Sequence, residues 1–298
     1  MANNISKRSL TEEVNDIMGL KCSDRTKARK LVKLGLPTQE AHLLLNSKAW
    51  SLGFFAFGTL TFGVEIECLG FTRNSLIAAA SSNSLTVRSE NYNHDDHLRP
   101  IFKVVSDGSL VGENTQEVVS PVLQGNNGLD SLKRLCDALA AVGASVNRSC
   151  GLHVHFGASN FSNDMYVRIV KNYQKLEKVI DTFMPLSRRA NNSRWCASLL
   201  NIDFSNCHTK DDVARAMNGN RYFKVNGQSI YRHNTIEFRQ HGGSTEFEKI
   251  KNWVMFLAKL IEFSHKKEIA DNVNRIEDIP FLTSSEKEYF VNRRASLN

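Results

Sequence analysis

The sequence has no apolar stretch long enough to cross a bilayer. Its longest apolar run, residues 52–66, is broken by Gly53, Gly58, Thr59, Thr61, Gly63 and Glu65 and falls short of the ~20 residues a membrane helix needs. No membrane partner is expected. The N-terminal stretch MANNISKRSLTEEVND lacks the apolar segment and small-residue cleavage site of a secretory signal, so a cytoplasmic location is expected. Six cysteines (Cys22, Cys68, Cys136, Cys150, Cys196, Cys207) include no CxxC pair, and a chain of this length needs no disulfide staples. They read as reduced, mostly buried thiols. No internal repeat is present, and with 41% hydrophobic and 23% charged residues the chain has neither the charge excess nor the apolar depletion of a disordered one. What it does carry is a formal net charge of +7, which suits an anionic partner such as a nucleotide, a nucleic acid or an acidic substrate. Charge alone does not choose among them.

Two textures divide the sequence. Residues 1–58 have helical periodicity and many cations (Lys21, Arg25, Lys27, Arg29, Lys30, Lys33), with a break at Gly35 and Pro37, which predicts a basic arm of two or three short helices. Such an arm offers a surface to nucleic acid, although a solvated helix face has the same pattern. From residue 59 to 298 the pattern predicts one domain. Strand-like TLTFGVEIECLG leads to a short helix over 74–82 and strands over 85–89, 101–106 and 115–120. Asn127 is placed to cap a helix with Leu129, Leu132, Leu135, Leu139 and Val142 on one stripe, ending at Gly143. The strand CGLHVHFG precedes a long helix striped by Tyr166, Ile169, Val170, Tyr173, Leu176, Val179 and Phe183, and beyond the loop SRRANNSRW lie a short helix over 211–217 and the strands RYFKVN and NTIEFRQH. A final helix carries Phe247, Ile250, Trp253, Val254, Leu257 and Ile261. Strands without regular βαβ alternation, backed by amphipathic helices, predict an α+β fold with a largely antiparallel sheet.

Period-2 alternation assigns each strand residue a face. In VEIEC, Glu65 and Glu67 oppose Val64, Ile66 and Cys68; in GLHVHF, His153 and His155 oppose Leu152, Val154 and Phe156; in TIEFRQH, Thr235, Glu237, Arg239 and His241 oppose Ile236 and Phe238. Solvated strand faces draw on Thr, Ser, Lys and Gln, whereas these draw on metal-ligand types and one guanidinium. TQEVVSP adds Glu117. Several carboxylates with one or two imidazoles make an oxygen-rich site for Mg²⁺ or Mn²⁺. A bare cluster of four glutamates is electrostatically untenable, and Mg²⁺ brings phosphates as its remaining ligands, so ATP is the natural cosubstrate. Arg239, on the face of Glu237, is placed to contact a phosphoryl group in transfer.

Six elements in order, FGVEIE, SDGSL, EVVSP, CGLHVHFG, RYFKVN and TIEFRQHGGS, resemble the amidoligase family of the glutamine synthetase and glutamate–cysteine ligase superfamily. The resemblance implies a glutamine synthetase-like curved, largely antiparallel sheet whose concave face holds ATP and divalent metals. It also implies a reaction in which a carboxylate is phosphorylated and the acyl phosphate is attacked by an amine. Carried over, Glu65, His153 and Glu237 resemble ligands of the metal nearer the ATP phosphates, and Glu67 and Glu117 those of the metal nearer the carboxylate. Arg239 resembles the arginine that steadies the transferred phosphoryl, and Arg221 the basic residue facing nucleotide or phosphate. The chain is much shorter than glutamine synthetase and shows one acid, Glu117, where that enzyme has two; Asp107 is the candidate to complete the set. His155 is read as a neighbour of the site. Superfamily members often build sites across subunits, so a homo-oligomer fits the resemblance.

Several residues carry two readings. Ser109 and Asn226 either bind nucleotide or substrate or cap turns, and Arg188, Arg189 and Arg194 either meet an anionic substrate or lie exposed in their loop. Cys150 is assigned to packing, since nothing in the sequence activates it as a nucleophile. Two rival functions remain at this stage: a zinc hydrolase using His153 and His155, and a nucleic-acid-binding protein led by the basic arm.

Overall fold

The computed structural model describes residues 24–33, 60–90 and 101–297. The chain divides into two units, Met1–Ala56 and Phe57–Asn298. Of the first, one helix is described, α1 (Asp24–Lys33), with Lys30 and Lys33 in its last turn; the rest of the predicted arm lies outside the described residues.

The second unit is built on one sheet. Its strands are β1 (Thr61–Cys68), β2 (Val87–Ser89), β3 (Phe102–Val105), β4 (Gln116–Val119), β5 (Leu123–Gln124), β6 (Gly151–Gly157), β7 (Val225–Asn226) and β8 (Thr235–Gly242). They lie in the order β2-β3-β4-β1-β6-β8-β7, with β5 paired to β1. Every pairing is antiparallel except β2 with β3. The mixed α+β architecture with a mostly antiparallel sheet is therefore as the sequence pattern predicts.

The helices are α2 (Arg73–Ser82), α3 (Gly125–Ala141), α4 (Asn163–Asp181), α5 (Lys210–Ala216), α6 (Ser229–His233), α7 (Phe247–Ser264) and α8 (Ser284–Ser296). The apolar stripes read from the sequence form the core. Leu132, Leu135 and Leu139 of α3, Tyr166, Ile169, Val170 and Tyr173 of α4, and Ile250, Trp253 and Leu257 of α7 are all buried with Val64, Ile66, Val154, Phe156 and Phe238 of the sheet. Trp253 stacks on Phe256 with centroids 5.4 Å apart; truncating such a ring to Ala costs about 3–5 kcal/mol. Local chemistry sets the helix ends. Ser162 caps α4 by accepting from Met165 N, and Thr209 and Asp212 close a capping box on α5. Helix α3 begins at Gly125 rather than after Asn127 because β5 runs straight into it, and Gly125, at φ +53°, takes the left-handed turn that joins them. Among the described residues no helix is long and apolar enough to cross a membrane.

One irregularity decides which side chains meet. Leu152 pairs with His241 and Val154 with Phe238, so Arg239 and Gln240 of β8 together face the single residue His153 of β6. This β-bulge breaks the period-2 count. His241 lands opposite core residue Leu152, and its ring lies 5.6 Å from Trp253 on the helix side. It does not share the face of Glu237 and Arg239, as simple alternation predicts.

Candidate active site

Directly paired residues in neighbouring strands share a face, and three adjacent rungs across the sheet collect the polar side chains. The first runs Lys103–Val119–Glu65–His153, the second Val105–Glu117–Glu67, and the third Gly63–His155–Glu237–Asn226.

Glu65 is the hub. Its Oε2 hydrogen-bonds His153 Nδ1 at 2.9 Å and its Oε1 lies 3.3 Å from His155 Nε2, so the two imidazoles stand against different oxygens of one carboxylate. Two groups of donor atoms, each within 4.8 Å of one another, share it: Glu65, Glu117 and His153, and Glu65, His155 and Glu237. Glu67 stands beside the first group, 3.5 Å from His153 Nε2, and accepts from the Gly151 amide at 2.5 Å. Asn226 Nδ2 donates to Glu237 Oε2 at 2.5 Å and Arg239 pairs with Glu237 Oε1. The Nε–H of Arg239 reaches the Trp195 carbonyl at 3.3 Å.

The electrostatics differ between the groups. Burial opposes ionisation of Glu237, but Arg239 and His155 outweigh it and hold the carboxyl down at about 2. Burial likewise opposes Glu65, and His155 and His153 overcome it to keep that carboxyl well below its ordinary value. His155 is pushed up, since Glu237 and Glu65 outweigh its desolvation. Glu117 goes the other way. Burial, joined by the like charges of Glu65, Glu67 and Asp107, raises its carboxyl well above the ordinary range.

Two cavities meet at Glu65, His155 and His233. The larger, about 360 Å³, is lined by Gly63, Lys103, Val105, Val119, Pro121 and Gly157 among others. The smaller, about 160 Å³, is lined by Arg221, Arg232, Arg239, Asn226 and Glu237. A bare Gly63 opposite His155 leaves the larger one open.

A family model described as "Putative amidoligase enzyme" matches residues 58–261, well over half of the chain. The chain belongs to the amidoligase family. Among solved structures this amidoligase is similar to a bifunctional glutathione synthetase from Pasteurella multocida, at 11% identity and a TM-score of 0.39. That alignment covers 83% of this chain and 43% of the other. No curated protein matches it.

Most residues picked from the amidoligase sequence converge. Glu65, Glu67, Glu117, His153 and Glu237 lie on the three rungs, Arg239 reaches Glu237 from the bulge, and Arg221 and Asn226 line the smaller cavity. Asn226 caps a turn, its Oδ1 accepting from Gln228 N at 2.8 Å, while its Nδ2 holds Glu237. The resemblance sets His153 with Glu65 and Glu237, and His153 Nδ1 lies 3.8 Å from Glu237 Oε1. His155, the residue paired with Glu237 across β6 and β8, brings its Nε2 to 3.9 Å from the same oxygen. Ser109 is exposed and its amide donates to Asp107 Oδ1 at 2.7 Å, a turn contact. Cys150 is buried and burial raises its thiol, which fits packing. Sequence reasoning missed Lys103, buried and paired with Glu90 at 3.1 Å; a lysine inside the apolar strand FKVV was the available signal. It also missed Arg232, on a five-residue helix too short for periodicity to reveal.

Proposed function

We propose that this amidoligase joins a carboxylate to an amine with ATP consumption, through an acyl phosphate, using Mg²⁺ or Mn²⁺ at the acidic face. The observation that carries the reading is the pair of donor groups sharing Glu65. Both contain only carboxylates and imidazoles, the donor set of a hard cation rather than of structural zinc. Burial and the like charges around it push the Glu117 carboxyl well above its ordinary range, and a cation bound there would favour its ionised form. Glu65, Glu117 and His153 would hold one ion and Glu65, His155 and Glu237 the other. When bound, such ions neutralise phosphate charge and fix the reacting oxygens.

The remaining work falls to the chain's own groups. Arg221, Arg232 and Arg239 concentrate positive charge in the smaller cavity, a place for the phosphates of the nucleotide. The larger cavity, within the usual size of small-molecule sites, suits the nucleoside. Arg239, clamped by Glu237 and the Trp195 carbonyl, offers its free N–H groups to charge developing on the phosphoryl in transfer. A substrate carboxylate oxygen bonds to the γ-phosphorus as ADP leaves, and an amine then bonds to the acyl carbon as phosphate leaves. Catalysis on this reading is chiefly positioning and charge neutralisation.

Thermal shift tests it. Mg²⁺ and ATP together should raise Tm by more than the sum of their separate effects, since ligand at about 100-fold its Kd stabilises by about 2.7 kcal/mol. Absence of that synergy, with no phosphate release across a panel of carboxylates, would remove the reading.

A further inference from the structure

A second arginine lies beside the site, and unlike Arg239 it has no carboxylate. Arg188, at the end of a single 3₁₀ turn (Leu186–Arg188), is 3% exposed, where the loop composition predicts an exposed side chain. Its contacts are few. Nη2 donates to the Ser149 carbonyl at 3.1 Å, Nη1 approaches Cys196 Sγ at 3.9 Å, and Nε has no partner. Among the described residues no carboxylate lies within 4.0 Å of it. A guanidinium has five donors, and a buried cation without a partner costs several kcal/mol.

Its position supplies a reason. A Cβ on Gly151 would lie 3.0 and 3.1 Å from the two Arg188 amino groups and 3.1 Å from His153 Nε2. Glycine at 151 therefore lets Arg188 press against the strand beside His153, whose Nε2 faces Glu67. Arg188 thus stands at the Glu67, Glu117 and His153 end of the acidic face, while Arg221, Arg232 and Arg239 occupy the Glu237 end. We propose that Arg188 binds the carboxylate of the acyl substrate, so that the substrate reaches the nucleotide phosphates from the Gly151 end of the acidic face. The assignment rests on the ligase reading for the word substrate. The anion-binding role rests on a buried guanidinium that meets no carboxylate among the described residues. A planar carboxylate would take both amino groups at once, which Lys cannot offer.

The test uses wild type, Arg188→Met and Arg188→Lys, with acetate, glutarate, inorganic phosphate and Mg²⁺-ATP as probes in melting experiments at constant ionic strength. A cation that lacks a partner predicts that Arg188→Met, without ligand, melts at or above wild type. Acetate and glutarate should stabilise wild type, and their half-saturating concentrations should rise about ten-fold in Arg188→Met, with Arg188→Lys between and the Mg²⁺-ATP response unchanged. Three results would overturn the proposal. One is Arg188→Met melting well below wild type with its carboxylate response intact, which makes the residue structural. The second is a selective loss of the phosphate response, which assigns it to the phosphoryl group. The third is no wild-type response to either carboxylate. A wild type that ignores Mg²⁺-ATP sinks the ligase reading separately, because the carboxylate arm still decides the role of Arg188.

Discussion

The two donor groups that share Glu65 are built on opposite principles. The group with His155 and Glu237 carries its own counter-charge: Arg239 and Asn226 each hold one oxygen of Glu237, and His155 is pushed toward its charged form. The group with His153 and Glu117 does not. Glu117 sits among Glu65, Glu67 and Asp107, and burial with their like charge pushes its carboxyl well above the ordinary range. Pre-organised charge needs no ion to persist, whereas a crowd of acids is relieved only by protons or by an external cation. The contrast teaches that one half of the acidic face is fixed by the fold, and that the other is the half which, on the proposed function, an ion would complete.

Removing the fixed half should have the largest effect. Glu237→Gln keeps the shape but deletes a donor and leaves Arg239 unpaired in a buried site, so ATP turnover should vanish and stability should fall by about 3–5 kcal/mol. Phosphate release with Tm measured alongside checks both, and wild-type turnover would remove Glu237 from the site. Arg239→Lys retains the charge but loses the fork, predicting a fall in turnover of ~10²-fold with Mn²⁺ binding kept. Full activity in the lysine variant would make Arg239 structural.

The opposite sign is expected on the other half. The folded-state value of Glu117 lies above the ordinary carboxyl value, so its contribution is favourable in acid and turns to a cost as pH rises past the unfolded value. Glu117→Gln should therefore raise Tm at neutral pH without ligand, by about 2–4 °C for each kcal/mol relieved, while losing stabilisation by Mg²⁺. A lower Tm in that variant would break the contrast. The smallest effect belongs to His241, held neutral at about 3, chiefly by burial. Because its folded value lies below the ordinary 6.5, wild type loses stability as pH falls through 6.5. His241→Phe should lessen that acid sensitivity and leave the Mg²⁺-ATP response unchanged, as pH-dependent melting would show.

How far the sequence reached depends on which rule each residue obeys. Glu65, Glu67, His153 and His155 were legible because an unbroken strand keeps period 2, and the core stripes because helices keep 3.6. His241 was not, since a bulge consumes one residue and no local feature of EFRQHG announces it. The burial of Arg188 was not, because its loop composition reads as solvent-exposed while the fold tucks it against Gly151. The membership of His153 and His155 in different donor groups needed strand register, which long-range pairing sets and a single sequence does not display.

Glu65 belongs to both donor groups, so a Mn²⁺ titration by calorimetry, with and without ATP, on wild type and Glu65→Gln tests the account most directly. The account predicts Mn²⁺ binding in wild type that ATP strengthens, and loss of both the binding and the ATP effect in Glu65→Gln. Equal Mn²⁺ affinity in the two proteins, with ATP acting alike on both, would contradict it.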